Sequence, residues 1–238
     1  MAIDLFCGLG GWTEGLLAEG YEVVGFDIER HEYGEERYPA QLVIQDVLTI
    51  HGSQFMDAAL IVASPPCQEF SYMAMPWTRA KEKQRLIEAD ASEQKRLTAL
   101  FDACFRIQRE ACEAAGRHIP LVVENVRGAQ KWVGRSRCNF GSFHLWGDVP
   151  ALMPMTKAIK VPSFRFDGSG KSFQSASVEH TGIRQGGDWF NASQPSISRQ
   201  SSSKSKARKR ASALIAKIPM PLARHIAACW KPADPTPT

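Results

Sequence analysis

No apolar run in this chain approaches the roughly 20 residues that a membrane-spanning helix needs. The longest, "AALIVA" and "PLVV", suit single strands. The first residues pass directly into "AIDLF" with no basic leader, so the chain is expected to be soluble and cytoplasmic, with no membrane partner. Cysteine is sparse: the six (Cys7, Cys67, Cys104, Cys112, Cys138, Cys229) lack paired metal-site spacing, so no metal is expected. A chain of 238 residues with 44% hydrophobic composition can bury a sizeable core without disulfides, and reduced thiols are the expectation. Neither sign of charge dominates; the net charge of +4 permits a polyanionic partner without requiring one. No internal repeat is present, and no Walker lysine follows the glycine turn near the N-terminus.

What is present is alternation. Strands are expected at "AIDLF", "EVVGFD", "LVIQD", "AALIVAS" and "PLVVEN", with helical stretches between them. "GWTEGLLAEG" reads as a helix stopped by Gly20, and the stripe Leu97, Leu100, Phe101, Cys104, Phe105, Ala111, Cys112, Ala115 marks a long helix ending before Gly116. Cys104 and Cys112 are thereby expected in the core. This pattern predicts an α/β fold, Rossmann-like, with a mostly parallel sheet and helices on both faces. Residues 1–149 would form the cofactor-binding catalytic domain. The Pro-, Gly- and Ser-rich stretch 150–211 would form a small loop-rich lobe, ending in the basic run "KSKARKR". A helix within 212–231 would return to the first domain, and 232–238, "PADPTPT", would be a disordered tail.

In an open α/β sheet, ligands bind beyond the carboxyl ends of the strands. After the first strand come Asp4 and the glycine turn "FCGLGG", after the second Asp27, and after the third Asp46. An acid at the second strand end suits ribose hydroxyls, and one at the third suits an amine donor on a purine. Together they imply a nucleoside-bearing cofactor. The turn lacks the full G-x-G-x-x-G spacing, which favours S-adenosylmethionine over a nicotinamide or a nucleoside triphosphate. The fourth strand leads through "ASPPCQEFS" to Cys67 and the fifth ends on Glu124 and Asn125, so a thiol and a carboxyl converge on the same edge. A thiol behind a Pro-Pro pair, a buried acid and an adenosyl pocket point to methyl transfer onto an unreactive ring carbon.

"DLFCGLGG", "SPPCQEFS" and "VVENVRG", in this order and spacing, resemble the cytosine C5 DNA methyltransferase family over roughly residues 2 to 147 and more faintly 212 to 230. The resemblance implies the fold of S-adenosylmethionine-dependent methyltransferases, with 150–211 as the target-recognition lobe. It makes Cys67 the nucleophile and Glu124 the acid, and places Phe6, Gly8, Gly10, Asp27, Ile28, Asp46, Val47 and Pro66 around the cofactor. "GRSRCNF" is similar to the family's Arg-x-Arg element, so Arg135 and Arg137 would reach the base, with Arg137 also lowering the thiol's pKa. The implied partner is double-stranded DNA bound by a monomer. Its target cytosine must be flipped out, because C6 is shielded within the stack. Gln68, Ser71, Arg79 and Lys81, on the polar segment after the thiol, and Lys204, Lys206, Arg208, Lys209 and Arg210 of the basic run are the candidate DNA contacts.

The pattern is departed from in three places. No Gln precedes the Arg-x-Arg element; Ile215 and Ala216 stand where the family has Gly-Asn before "KIPMPLA"; and the recognition region is short. A short or relaxed target sequence is therefore expected, and the compactness resembles phage-encoded orphan methylases. The same chemistry on tRNA is the alternative, although the Cys-Phe-Thr signature of that branch is missing. A catalytically inactive DNA-binding homologue is the other.

Overall fold

The computed structural model describes residues 1–70, 77–153 and 206–232. Ser71, Lys204, nearly all of the 150–211 lobe and most of the 232–238 tail lie outside the described residues. Five strands, β1 (Ala2–Leu5), β2 (Val23–Asp27), β3 (Gln41–Ile44), β4 (Leu60–Ala63) and β5 (Leu121–Asn125), run parallel. β6 (Cys138–Phe140) and β7 (Phe143–Gly147) form a hairpin whose β7 pairs antiparallel with β5. The order is β3-β2-β1-β4-β5-β7-β6, so the direction of winding reverses between β1 and β4. In sheets of this kind, ligands bind at the carboxyl edge beside that switch point.

Two helical layers cover the sheet. α1 (Gly11–Ala18) and α6 (Met220–Cys229) pack on one face with Ala2, Leu60, Val62 and Val122 beneath them. Their approach is close: a Cβ on Gly15 would lie 2.4 Å from that of Ala223, so glycine is required for contact. On the other face α2 (Trp77–Ala89) and α3 (Ala91–Ala115) cover Ile3, Leu5, Ile61, Leu121 and Val123. α3 starts at Asp90, whose carboxylate accepts the Ser92 N–H at 2.8 Å, and stops at Gly116 in the left-handed conformation. Cys104 is buried on that helix, and Cys112 accepts the Ile119 N–H at 3.2 Å. All six cysteines are unpaired. No helix among the described residues is long and apolar enough to cross a membrane.

The C-terminal part differs from the single expected helix. α5 (Lys206–Ala216) takes up the last residues of the basic run, and α6 follows after Pro219, with Pro221 in its first turn. The link between them seats Ile218 against α1, where a Cβ on Gly11 would meet the Ile218 nitrogen at 2.4 Å. Tyr21 Oη donates to the Ala227 carbonyl at 3.0 Å and Trp230 Nε1 to that of Asp148 at 3.0 Å, which fasten α6 to the sheet domain.

Candidate active site

The turn after β1 is shaped by Phe6, at φ 58, and by Gly8 and Gly10, at φ 50 and 77. A Cβ on Gly10 would also lie 2.5 Å from Pro39 Cδ, so both conformation and space require glycine. The Gly8 N–H donates to Asp27 Oδ2 at 2.9 Å, and the Ile28 and Glu29 N–H groups donate to Oδ1 at 2.8 and 3.3 Å. His31 Nε2 lies 3.6 Å from the same oxygen. Burial alone would raise Asp27, but the His31 contact and these N–H donors outweigh it and hold the carboxyl below its ordinary value. Ile28, 69% exposed, presents an apolar surface beside this carboxylate.

Asp46 caps the short 3-10 turn that follows β3, its Oδ1 accepting the Leu48 N–H at 2.9 Å. The Val47 side chain is buried in the core, and Leu48, 48% exposed, is the apolar side chain at the surface at this point. Asp4 departs from its expected place. It lies inside β1 rather than at its end, fully buried, with the Thr13 hydroxyl donating to Oδ2 at 2.6 Å and Tyr38 Oη 2.6 Å from that hydroxyl. Burial pushes the Asp4 carboxyl up to about 7.

At the β4 end Ser64 prolongs the ladder, donating its N–H to the Leu5 carbonyl at 3.1 Å. Pro65 is buried, Pro66 exposed, and Cys67 half-buried. Phe70, 3% exposed, donates its N–H to the Cys67 carbonyl at 3.0 Å and anchors the turn in the core. Asn125 joins this turn to β5: its Nδ2 donates to the Pro65 carbonyl at 2.9 Å, and its Oδ1 accepts the Val126 N–H at 2.8 Å. The register Ala63↔Val123 sets Ser64 beside Glu124 on adjacent strands. Glu124 is 8% exposed, and burial lifts its carboxyl to about 8 against a smaller lowering by the Ser64 hydroxyl. Cys67 is pushed up to about 11, by burial first and then by the nearby Glu124 carboxyl. The expected lowering of this thiol by Arg137 is not found, since the Arg135 and Arg137 side chains are exposed and do not offset its desolvation.

Arg135 and Arg137 flank Ser136 in the segment between α4 (Gln130–Val133) and β6. The Arg137 N–H donates to the Leu145 carbonyl at 2.8 Å, and Trp146 Nε1 to that of Gly134 at 3.0 Å, so the segment is pinned on β7. Gln130 Oε1 accepts both the N–H and the hydroxyl of Ser136 at 3.2 Å, and that hydroxyl lies 2.9 Å from His144 Nδ1. A glutamine thus does serve this element, brought in from α4 instead of from the position just ahead of the arginines.

Of the candidate DNA contacts, Gln68 and Lys81 are exposed, and Arg79 is carried by the α2 backbone. Lys206, exposed, and Arg208 start α5. Lys209 lies 4.0 Å from Glu29 and Arg210 3.7 Å from Glu36, so two cations of the run face the acidic loop after β2. Sequence reasoning passed over Trp12, Thr13, His31, Tyr38, Ser64, Gln130 and His144. Only Ser64, inside "ASPPC", carried a local signal.

The carboxyl edge of this α/β sheet thus brings together the glycine turn with Asp27, the Asp46 cap, and a thiol–acid pair at β4–β5. Residues 1–103 match the family model of C-5 cytosine-specific DNA methylases. Similar solved structures include a candidate DNA modification methyltransferase encoded within an E. coli prophage, at 22% identity and TM-score 0.33, covering 54% of this chain and 32% of that one. The Entamoeba histolytica methyltransferase EhMeth is similar at 17% identity and TM-score 0.35, covering 56% and 40%. The S. pombe Dnmt2 methyltransferase is similar at 16% identity and TM-score 0.34, covering 56% and 36%. The aligned part therefore spans well under half the length of each of these structures. Comparison with curated proteins returns no significant match.

Proposed function

We propose that this protein methylates C5 of cytosine in double-stranded DNA, using S-adenosylmethionine as donor and Cys67 as a transient covalent nucleophile. The observation that carries the reading is the pairing, at adjacent strand ends, of a half-buried thiol with a buried carboxyl that stays protonated at neutral pH. The donor fits the other half of the carboxyl edge. A carboxylate has about four acceptor positions, and with three N–H groups and His31 on Asp27, three of these four contacts fall on Oδ1, which leaves Oδ2, bonded by Gly8 alone, a position for a ribose hydroxyl. Ile28 offers an apolar face to the purine, and Asp46 keeps one oxygen beyond its cap contact for an exocyclic amine. When bound, the donor supplies an electrophilic methyl group.

The chain's own residues make the ring reactive. Cys67 gives its proton to solvent water as its sulfur adds to C6 of the flipped base, which breaks aromaticity and turns C5 into a nucleophile. Glu124, protonated, donates to N3 and neutralises the charge that the addition drives there. Arg135 or Arg137 would hold the base oxygen. Once C5 carries the methyl group, its proton passes to water, the C6–S bond breaks to expel the Cys67 sulfur, and N3 returns its proton to Glu124 as the aromatic ring is restored. Fluorine at C5 blocks that last step.

The test is a duplex of mixed sequence containing 5-fluorocytosine, incubated with the protein and methyl-labelled donor. A covalent adduct mapping to Cys67 is expected. Methylation of normal duplex without any adduct overturns the covalent route. Label entering tRNA and not DNA overturns the substrate, and label entering neither overturns the enzyme reading.

A further inference from the structure

The sheet face under α1 carries a row of polar side chains that the proposed chemistry leaves unused. Along β4 and β5, Leu60, Val62 and Val122 belong to the core beneath α1 and α6, while Ile61, Leu121 and Val123 belong to the opposite core. Ser64 and Glu124 continue the first series, since side chains alternate along a strand. Trp12, 2% exposed in the first turn of α1, comes down onto this row and donates its indole N–H to Ser64 Oγ at 3.0 Å. Thr13, the next residue, does the same to Asp4 at 2.6 Å. The helix that starts at the glycine turn is thereby tied to both β1 and β4.

A serine hydroxyl has one proton and two acceptor lone pairs. With the Trp12 N–H on one lone pair and the Ser64 main chain locked in the ladder, the hydroxyl proton is left to donate, and the Glu124 carboxyl is its neighbour. We propose that Trp12 and Ser64 are positioning residues for Glu124: the indole orients the serine hydroxyl so that it donates to the carboxyl and strengthens that bond when the carboxyl becomes an anion. The inference rests on the reading of Glu124 as the acid that serves the base. A hydrogen bond to an ion is roughly twice as strong as one between neutral groups, so the pair contributes most as charge develops on Glu124. It also links the donor turn to the acid through a single buried side chain.

The groups around Glu124 make its titration readable. Ser64 and Cys67 face it from the β4 end, Leu145 lies opposite on β7, and Trp12 reaches it through Ser64. Arg137 is bonded to the neighbouring Leu145 by its backbone, with its side chain exposed. Cys67 is the titratable partner, at about 11, well above the carboxyl.

Carboxyl-carbon NMR of the full chain with labelled glutamate, the Glu124 signal assigned by its loss in Glu124→Gln, follows that titration without turnover. Ser64→Ala is expected to move the Glu124 midpoint upward, Ser64→Thr to restore it, and Trp12→Phe to move it in the same direction by less. In duplex methylation Ser64→Ala should lower kcat about tenfold with KM for DNA unchanged and carry the alkaline limb to higher pH. An unchanged midpoint in Ser64→Ala, or no rescue by threonine, overturns the proposal even if wild-type protein methylates DNA. A midpoint that moves as expected in a protein without methyl transfer upholds the positioning pair and overturns the enzyme reading instead.

Discussion

Asp27 at the end of β2 and Glu124 at the end of β5 lie on the same edge of one sheet, each only 8% exposed as a residue. Their charge states are opposite. Asp27 collects N–H donors from Gly8, Ile28 and Glu29 and the imidazole of His31, and is held ionised. Among the described residues Glu124 has the Ser64 hydroxyl as its one hydrogen-bonding influence, and burial keeps it protonated to about 8. Burial raises both carboxyls, more strongly at Glu124, and the donors aimed at Asp27 reverse its effect there. One acid is built to hold neutral hydroxyl groups, the other to give a proton to a ring.

The comparison breaks most completely at the thiol beside Glu124. Cys67→Ser should abolish methyl transfer while donor affinity, set at the Asp27 side, stays near that of wild type; equilibrium binding and a product assay separate the two. Glu124→Gln should lower the rate by about 10²–10⁴. It should also stabilise the fold at alkaline pH. With a folded value near 8 against the ordinary 4.5, Glu124 contributes fully below pH 4.5, and stability is lost as pH rises from there through about 8. The melting temperature of Glu124→Gln should thus exceed wild type at pH 9 and converge with it in acid.

Asp27→Asn tests the opposite case. Donor binding should weaken about tenfold by titration calorimetry, with little change in rate at saturating donor. The partner His31 is raised above its ordinary 6.5, chiefly by its contact with Asp27, and Asp27 is lowered below 3.8. The His31 contribution is present below pH 6.5 and lost as pH rises through the raised value; that of Asp27 is present above pH 3.8 and lost as pH falls below it. His31→Ala should accordingly flatten the pH dependence of melting within that window. The smallest effect is expected at the basic run: replacing Lys206 and Lys209 with alanine should weaken all DNA sequences alike and reduce the salt slope by about 0.9 per lost phosphate contact.

The parallel half of the sheet was legible because each strand is a short apolar run rich in β-branched residues and closed by a polar residue or glycine, as in "EVVGFD" and "PLVVEN". The stripe on α3 was legible for the same reason, at helical period. The β6–β7 hairpin was not, since "CNFGSFHLWG" reads first as the tail of an arginine element, and β6 has only three residues. Nor was the start of α5, whose basic residues show no apolar face until Leu214 joins the core. Asp4 was expected after the first strand, yet it lies within β1 with its side chain turned under α1. A motif fixes neighbours along the chain, but not the face toward which each side chain points.

From sequence alone followed the residues of the carboxyl edge and their order: a glycine turn, acids after the second and third strands, a thiol after the fourth and a carboxyl on the fifth. Local covalent pattern suffices for that, because strand ends and turns are written in runs of a few residues. Which acid is charged, which serine faces Glu124, and which glutamine supports the arginines were decided only by tertiary structure. Those properties depend on donors brought together from α1, α4, β4 and β7, at distances along the chain that no local pattern encodes.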